Sequence, residues 1–223
     1  MAKPESVGLS SKRLQTLDRV MKERYVDGGF LNGIHTQVFR RGELVVEQGK
    51  KSNALFILLS GRARVTTSDP RGREVILAVL NAGDYVGEMS LIDNEPHSAT
   101  VRCELQCDVL ILGRAEFARC LPENSSLSYA IMRGLVTRLR SADRQIESLA
   151  LLDVYGRVAR TLLDMAEDVD GEKVIKSKVS RQDMAKIVGA SREMVSRVMK
   201  DLEERGIIET QEDGSLKIQN RKS

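Results

Sequence analysis

The hydrophobic pattern divides the chain into a part typical of β-structure and a later part typical of helices. Between positions 36 and 112, short runs rich in Val, Ile and Leu alternate with polar turns; the runs are TQVF, ELVVE, ALFILL, ARVTT, EVILAVL and VLIL. Glycines punctuate this stretch at Gly42, Gly49, Gly61, Gly72 and Gly83. Regularly spaced turns between short apolar runs predict a β-sandwich or barrel.

A long helix is predicted next, from Ser126 to about Asp153, because this stretch contains no proline and one glycine. Its apolar residues recur at alternating intervals of three and four, at Met132, Leu135, Leu139, Ala142, Ile146 and Leu149. That spacing forms an apolar seam along a helix of about 40 Å. Such a seam can pack on its own domain, but the strict alternation favours a partner helix. We therefore expect a parallel homodimer.

From about position 154 the pattern indicates a compact helical unit that ends in a hairpin. YGRVARTLLDMAED is typical of an amphipathic helix, and two further helices, SRQDMAKIVG and SREMVSRVMKDLEERG, are joined by VGAS. The predicted N-caps are Ser180 and Ser191, and the predicted stops are Gly189 and Gly206. An Asp-Gly turn at 213–214 predicts the hairpin. This order of elements predicts a winged helix-turn-helix.

The second of the two short helices carries residue types that read DNA. In a winged helix-turn-helix, its first turns enter the major groove. There an Arg fork matches the O6 and N7 acceptors of guanine, and a carboxylate accepts from cytosine N4. The candidates are Arg192, Glu193, Ser196 and Arg197. A plain surface Glu–Arg pair is the alternative, but residues 173–200 hold eight Lys or Arg against two acids, which favours a phosphate-facing surface.

Composition limits the class of protein. A hydrophobic content of 41% and a charged content of 30% are ordinary for a soluble globular chain. The longest aliphatic run, ALFILL, is too short to span a bilayer, and the N-terminus lacks the apolar core of a signal peptide. Three cysteines give no disulfide framework. We expect a reduced cytoplasmic protein without membrane association.

These motifs together resemble the Crp/Fnr family of bacterial transcription regulators. The similarity is strongest in LLSGRARV, VGEMSLI, LALLDVYGRVARTLL and SRQDMAKIVGASREMVSRVMKDLEERGII. It implies an α+β chain that binds double-stranded DNA as a homodimer on a palindrome with TGTGA-like half-sites, and that contacts RNA polymerase. The implied parts are a β jelly-roll effector domain like those that bind cyclic nucleotides (36–124), a dimerisation helix (125–153) and a winged helix-turn-helix DNA-binding domain (154–223). The resemblance does not extend to residues 1–35, which we expect to form an N-terminal helical segment.

The family's DNA contacts carry over onto matching residues of this sequence. The resemblance implies base reading by Arg192, Glu193 and Arg197. It implies phosphate contacts for Ser180, Arg181, Gln182, Ser191 and Lys200.

The stretch VGEMSLIDNEPHSATV resembles the family's effector pocket. The resemblance assigns Glu88 to a ribose hydroxyl and Gly87 and Ser98 to a cyclic phosphate, with Met89 in the same turn.

In cyclic-nucleotide-dependent kinases and channels an Arg fills the place of His97, giving a permanent bidentate clamp. Histidine gives one donor nitrogen and is charged only near or below pH 6.5. We expect His97 either to hold a phosphate as imidazolium, with tighter binding at low pH, or to cap a turn.

A second departure lies on the long helix. Family members that bind cyclic AMP hold adenine with a Thr-Ser pair, and counting back from DVYGR puts Ala142 and Asp143 in those places. Asp143 can accept from the N1–H and N2–H₂ edge of guanine, although a solvated Asp on a helix flank is the alternative. The effector therefore stays open among cyclic AMP, a guanine-containing nucleotide such as cyclic di-GMP, and another ligand or none. No cofactor is expected.

Metal cofactors have little support in this sequence. Iron–sulfur clusters need four thiolates, and the chain has only Cys103, Cys107 and Cys120, which we place in or just after strands. His35 and His97 are the only histidines, a poor set for haem or zinc. We expect structural cysteines and no metal.

The N-terminal segment, PESVGLSSKRLQTLDRVMKERYVDGG, suggests a rival class because it resembles the opening of serine β-lactamase-type esterases. Those enzymes need a Ser with a Lys three residues later, and no Ser here has one. We expect no enzyme activity, and a helix at 9–26. A nucleotide-binding module without a DNA role is a further alternative.

Overall fold

The computed structural model describes residues 34–123, 125–169, 171–176, 178–211 and 213–219. The helix predicted at 9–26 lies outside the described residues. The chain forms two compact units, Met1–Arg140 and Ser141–Ser223. We call them the first and the second unit.

The first unit is a β-sandwich of two four-stranded antiparallel sheets, ordered β1-β8-β3-β6 and β2-β7-β4-β5. Its strands are β1 (Ile34–Phe39), β2 (Leu44–Val46), β3 (Ala54–Ser60), β4 (Arg62–Ser68), β5 (Glu74–Asn81), β6 (Tyr85–Val86), β7 (Thr100–Cys103) and β8 (Cys107–Gly113). The β-sandwich prediction is confirmed, and all six apolar runs coincide with strands. Strands β6 and β7, which stand at the two ends of VGEMSLIDNEPHSATV and have only two and four residues, were not predicted.

Strand β3 shows why its apolar run is unbroken. Successive side chains of a strand point to opposite faces. Phe56 and Leu58 face the core between the two sheets, whereas Leu55 and Ile57 join a second cluster with Ile131 of the long helix. Both faces of the strand are therefore covered, and the helix is held against the outer face of its sheet.

Three helices follow in the order α1 (Glu88–Asp93), α2 (Arg114–Glu123) and α3 (Ser125–Leu151). Helix α3 confirms the long helix, and the boundary between the two units falls within it. Helix α2 was not predicted, and it contains Cys120, which we had expected in or after a strand. Leu135, a member of the predicted seam, packs on the core of its own unit.

The second unit confirms the winged helix-turn-helix. Its elements are α4 (Val154–Met165), β9 (Glu167–Val169), β10 (Glu172–Ile175), α5 (Arg181–Val188), α6 (Arg192–Glu204), β11 (Ile208–Thr210) and β12 (Leu216–Ile218). The three helices share one core, in which Val158, Met184 and Val195 are buried. The hairpin β11–β12 was predicted, but its extension by β10 and β9 into a four-stranded sheet was not.

None of the described helices has the length and apolar character needed to cross a membrane.

Candidate functional site

Helix α6 presents its predicted DNA-reading residues on an exposed face. The Ser191 hydroxyl caps the helix by accepting from the Met194 amide at 3.2 Å. Val195, Met199 and Leu202 anchor the opposite face in the core. The cap and the apolar anchors fix the first turn, so that the exposed side chains project from a rigid backbone.

The side chains of Arg192, Glu193 and Arg197 are exposed and form no ion pair or hydrogen bond with any described residue. Glu193 and Arg197 therefore do not satisfy each other as the surface pair that we considered. Lys200 is also exposed and lies 3.5 Å from Glu204, a pair too open to water to hold its ammonium firmly. These groups remain available to a partner.

Helix α5 supplies the other predicted phosphate contacts. Ser180 caps it by accepting from Asp183 at 3.3 Å, and Ser180 and Gln182 are exposed. Arg181 instead turns toward α6, where its guanidinium donates to the Ser196 carbonyl at 3.4 Å and lies 3.6 Å from Glu203. In this structure Arg181 thus braces the two helices against each other.

In the first unit, Glu88 is 1% exposed and stands where the chain leaves β6. Its Oε1 lies 2.5 Å from Nη1 of Arg138 on α3. The Arg138 guanidinium also donates to the Tyr85 carbonyl and lies 4.9 Å from the centre of the Tyr85 ring. The carboxylate that we assigned to a ribose hydroxyl is thus already paired within the chain.

Tyr85 holds the same strand against α3 at a second point. Its hydroxyl donates to the Ile131 carbonyl at 2.9 Å, and burial raises the pKa of this phenol to about 12. Gly134 makes room for the ring, because a Cβ at that position would meet the hydroxyl oxygen and lie 2.9 Å from Cζ. Two consecutive turns of α3 therefore contact the strand that leads into Glu88.

His97 is buried, and both nitrogens of its ring lie within hydrogen-bonding distance of a serine hydroxyl. Nε2 lies 2.8 Å from the Ser52 hydroxyl and Nδ1 lies 3.1 Å from the Ser90 hydroxyl. Burial lowers the pKa of His97 below its usual 6.5, so the ring is neutral at pH 7. The ring is enclosed between the loop that carries Ser52 and helix α1 rather than open to water.

The remaining predicted effector residues differ in their surroundings. Gly87 has φ +94, and a Cβ there would lie 2.5 Å from the Ala54 carbonyl oxygen, so the turn requires glycine. Met89 and Ser98 are exposed. Ala142 and Asp143 belong to the second unit, where both are exposed on α3.

Several residues that shape this site were not predicted from the sequence. Arg138 and Tyr85 had no local signal, because their pairing joins α3 to a strand about 50 positions earlier. Arg114 was also missed; its guanidinium donates to the Leu91 and Ser90 carbonyls, each at 3.0 Å, and holds the end of α1. An arginine that satisfies helix-end carbonyls has no spacing signature.

Each of the two units matches a known protein family. A cyclic nucleotide-binding domain matches residues 36–124, and a Crp-like helix-turn-helix domain matches residues 156–223. The cAMP-activated global transcriptional regulator Vfr of Pseudomonas aeruginosa is 36% identical over 181 residues, which are 78% of this chain and 85% of Vfr. The chain belongs to the Crp/Fnr family of transcription regulators. The family resemblance inferred from the sequence is confirmed.

Other Crp/Fnr relatives agree with this assignment. The cAMP-activated global transcriptional regulator CRP of Salmonella typhimurium is 32% identical, with 80% of this chain and 87% of CRP covered. The structure of CLP, the c-di-GMP responsive global regulator of Xanthomonas campestris, aligns with a TM-score of 0.73 and 28% identity, covering 85% of this chain and 95% of CLP. The CooA mutant from Carboxydothermus hydrogenoformans shares the fold at a TM-score of 0.73 and 21% identity, covering 86% of each chain.

This Crp/Fnr chain is therefore a DNA-binding transcription regulator with a cyclic nucleotide-binding domain. Within the described part of the chain, no three His, Cys, Asp or Glu side chains come together as a metal site. Cys103 and Cys107 are buried side by side, and burial raises the pKa of the Cys103 thiol to about 12. Protonated, enclosed thiols are poor ligands and nucleophiles.

Proposed function

We propose that this regulator binds a palindromic operator as a homodimer and that a nucleotide bound in the first unit controls its affinity for DNA. The observation that carries the proposal is the exposed trio Arg192, Glu193 and Arg197 on the capped first turns of α6. Two guanidinium groups and one carboxylate without described partners are suited to guanine and cytosine edges. Half-sites resembling TGTGA fit this set.

An exposed apolar stripe on α3 supports the homodimer. Leu139, Ile146 and Leu149 of the predicted seam are each about 60% exposed, and Met132 lies exposed about two turns before Leu139. Large apolar side chains repeated along one helix are typical of a surface that another helix covers. In a dimer of this kind the two α6 helices meet successive major grooves about one helical turn apart. RNA polymerase is the expected further partner.

The effector proposal rests on Glu88 and Arg138. A buried carboxylate can accept from a ribose hydroxyl, and the guanidinium beside it can meet a phosphodiester. His97 is neutral and enclosed, so the cationic role that we first gave to its position passes to Arg138. The named relatives include cAMP-activated and c-di-GMP responsive regulators, and both nucleotides offer a phosphodiester.

DNA selection from a random pool, followed by sequencing, tests the operator. We expect an inverted repeat whose half-sites contain G·C pairs.

Sedimentation tests the dimer: Leu139→Asp should give a monomer or an unfolded chain, because it would place a charge in the seam. The control is Leu105→Asp, at an exposed leucine outside α3. Equal dimerisation of both variants would contradict the proposed seam.

Calorimetry with cyclic AMP, cyclic GMP and cyclic di-GMP tests the effector. We expect one of the three to bind, and Glu88→Gln and Arg138→Met each to weaken that binding. Binding that is unaffected by either substitution would place the effector elsewhere. A wild-type protein that binds none of the three, yet binds its operator, would support a regulator without a nucleotide effector.

A further inference from the structure

Met194 is an exposed apolar side chain in the first turns of α6, where the proposed DNA-reading residues lie. It is 45% exposed, whereas the neighbouring apolar residues Val195, Met199 and Leu202 are buried in the core of the second unit. Met194 follows Glu193 directly and precedes Arg197 by one turn.

The helix geometry places Met194 on the exposed side of α6, beside Arg197. At about 100° per residue, these two side chains lie about 60° apart around the helix axis, whereas Met194 and Arg192 lie about 160° apart. Its amide is the one that donates to the Ser191 cap at 3.2 Å, so its backbone position is fixed by the first turn. The side chain therefore projects from a part of α6 that does not fray.

The chemistry of methionine limits what it can contact in a major groove. A thioether has no donor and is a weak acceptor, which makes it a poor partner for phosphates and for the polar base edges. The major groove displays one apolar group, the 5-methyl of thymine. An unbranched and flexible side chain can adapt to a methyl group whose position depends on neighbouring contacts.

We infer that Met194 selects a thymine in each half-site by covering its 5-methyl group, an inference that rests on the proposed base-reading role of α6. The residue would thus specify a T·A pair beside the G·C pairs read by Arg192, Glu193 and Arg197. Removing that methyl from water contributes roughly as much as burying one CH₂ group, which corresponds to about a fourfold change in affinity per half-site.

Deoxyuridine differs from thymidine only in lacking the 5-methyl group, so it isolates this contact. Each thymine of the selected operator is replaced in turn by deoxyuridine, and binding is measured for wild type, Met194→Ala and Met194→Leu. At one thymine per half-site, we expect the replacement to weaken wild-type binding about fourfold. Met194→Ala should be insensitive there, and Met194→Leu should keep most of the sensitivity.

The control variant is Leu163→Ala, which removes an exposed apolar side chain of the same unit on α4. It should respond to every deoxyuridine as wild type does. If Met194→Ala keeps the wild-type penalty at every thymine, or if wild type shows no penalty, the inference is overturned. A wild type that selects no sequence at all would overturn the base-reading role together with it.

Discussion

The two units of this regulator hold their functional side chains in opposite ways. On α6, Arg192 and Arg197 are exposed and have no partner among the described residues, on a helix that is already capped and packed. In the first unit, Glu88 and His97 are buried and are bonded to Arg138 and to two serines. The proposed DNA surface thus has free side chains already in place, whereas the proposed effector residues would have to exchange protein partners for a ligand.

This difference assigns the affinity for DNA and the proposed control of that affinity to different units. The exposed side chains of α6 need no rearrangement before they meet DNA. Each contact that they make with a base edge can therefore contribute to sequence preference. Glu88 is buried whereas the Arg138 side chain is 37% exposed, and a ligand that opens this pair has to replace the charged partner that the buried carboxylate loses. Because Arg138 lies on α3, a ligand that changes the Glu88–Arg138 pair also acts on the helix that we propose to form the dimer.

The largest effect is expected from Arg138→Met. It leaves the Glu88 carboxylate buried without its cation, which should cost about 3 kcal/mol of unfolding free energy. Adding Glu88→Gln should recover most of the loss, because no charge is then buried. Denaturant unfolding of the single and double variants measures the loss of unfolding free energy and its recovery. The control is Arg140→Met, at an exposed arginine of the same helix; equal destabilisation by the two single substitutions would refute the pairing.

The next effect concerns the contact between Tyr85 and Gly134. Gly134→Ala should destabilise the first unit by about 1–3 kcal/mol through overpacking, although alanine is the better helix former. In a Tyr85→Phe background the penalty should be smaller, since the atom that the new methyl meets first is gone. Thermal unfolding compares the four proteins. Additive effects of the two substitutions would show that these side chains do not touch.

On the DNA side, Arg192→Ala should cost about 1–3 kcal/mol on the operator and relax the preference at one G·C pair. Lys200→Ala should instead weaken operator and random DNA alike and flatten the salt dependence. Binding titrations at several salt concentrations separate the two patterns. If Arg192→Ala lowers affinity for both DNAs equally, its side chain contacts phosphate rather than a base.

The smallest effect is a pH dependence of stability from His97. Burial lowers its pKa in the folded state, so the unfolded chain takes up a proton first as the pH falls below about 6.5. The free energy of unfolding should therefore decline between about pH 7.5 and pH 5.5, and His97→Gln should decline less. His35 is present in both proteins and cancels in the comparison. Parallel declines would mean that His97 is not buried in its neutral form.

The sequence predicted the second unit better than the first for a physical reason. Caps, glycine stops and the 3.6-residue period are local, so Ser180, Ser191 and the exposed face of α6 could be inferred from spacing alone. The surroundings of Glu88 and His97 come from residues such as Arg138 and Ser52, far along the chain, and no periodicity records those pairings. Strands β9 and β10 were not predicted because they are only three and four residues long, begin with charged residues and lack an apolar alternation.

The most direct test of the whole account is the affinity of the selected operator with and without nucleotide. In fluorescence anisotropy titrations of the full chain, one of cyclic AMP, cyclic GMP and cyclic di-GMP should tighten operator binding by about tenfold or more, a coupling of about 1.4 kcal/mol. Glu88→Gln should abolish that response. An operator affinity that none of the three nucleotides changes in the wild-type protein would contradict control through the first unit.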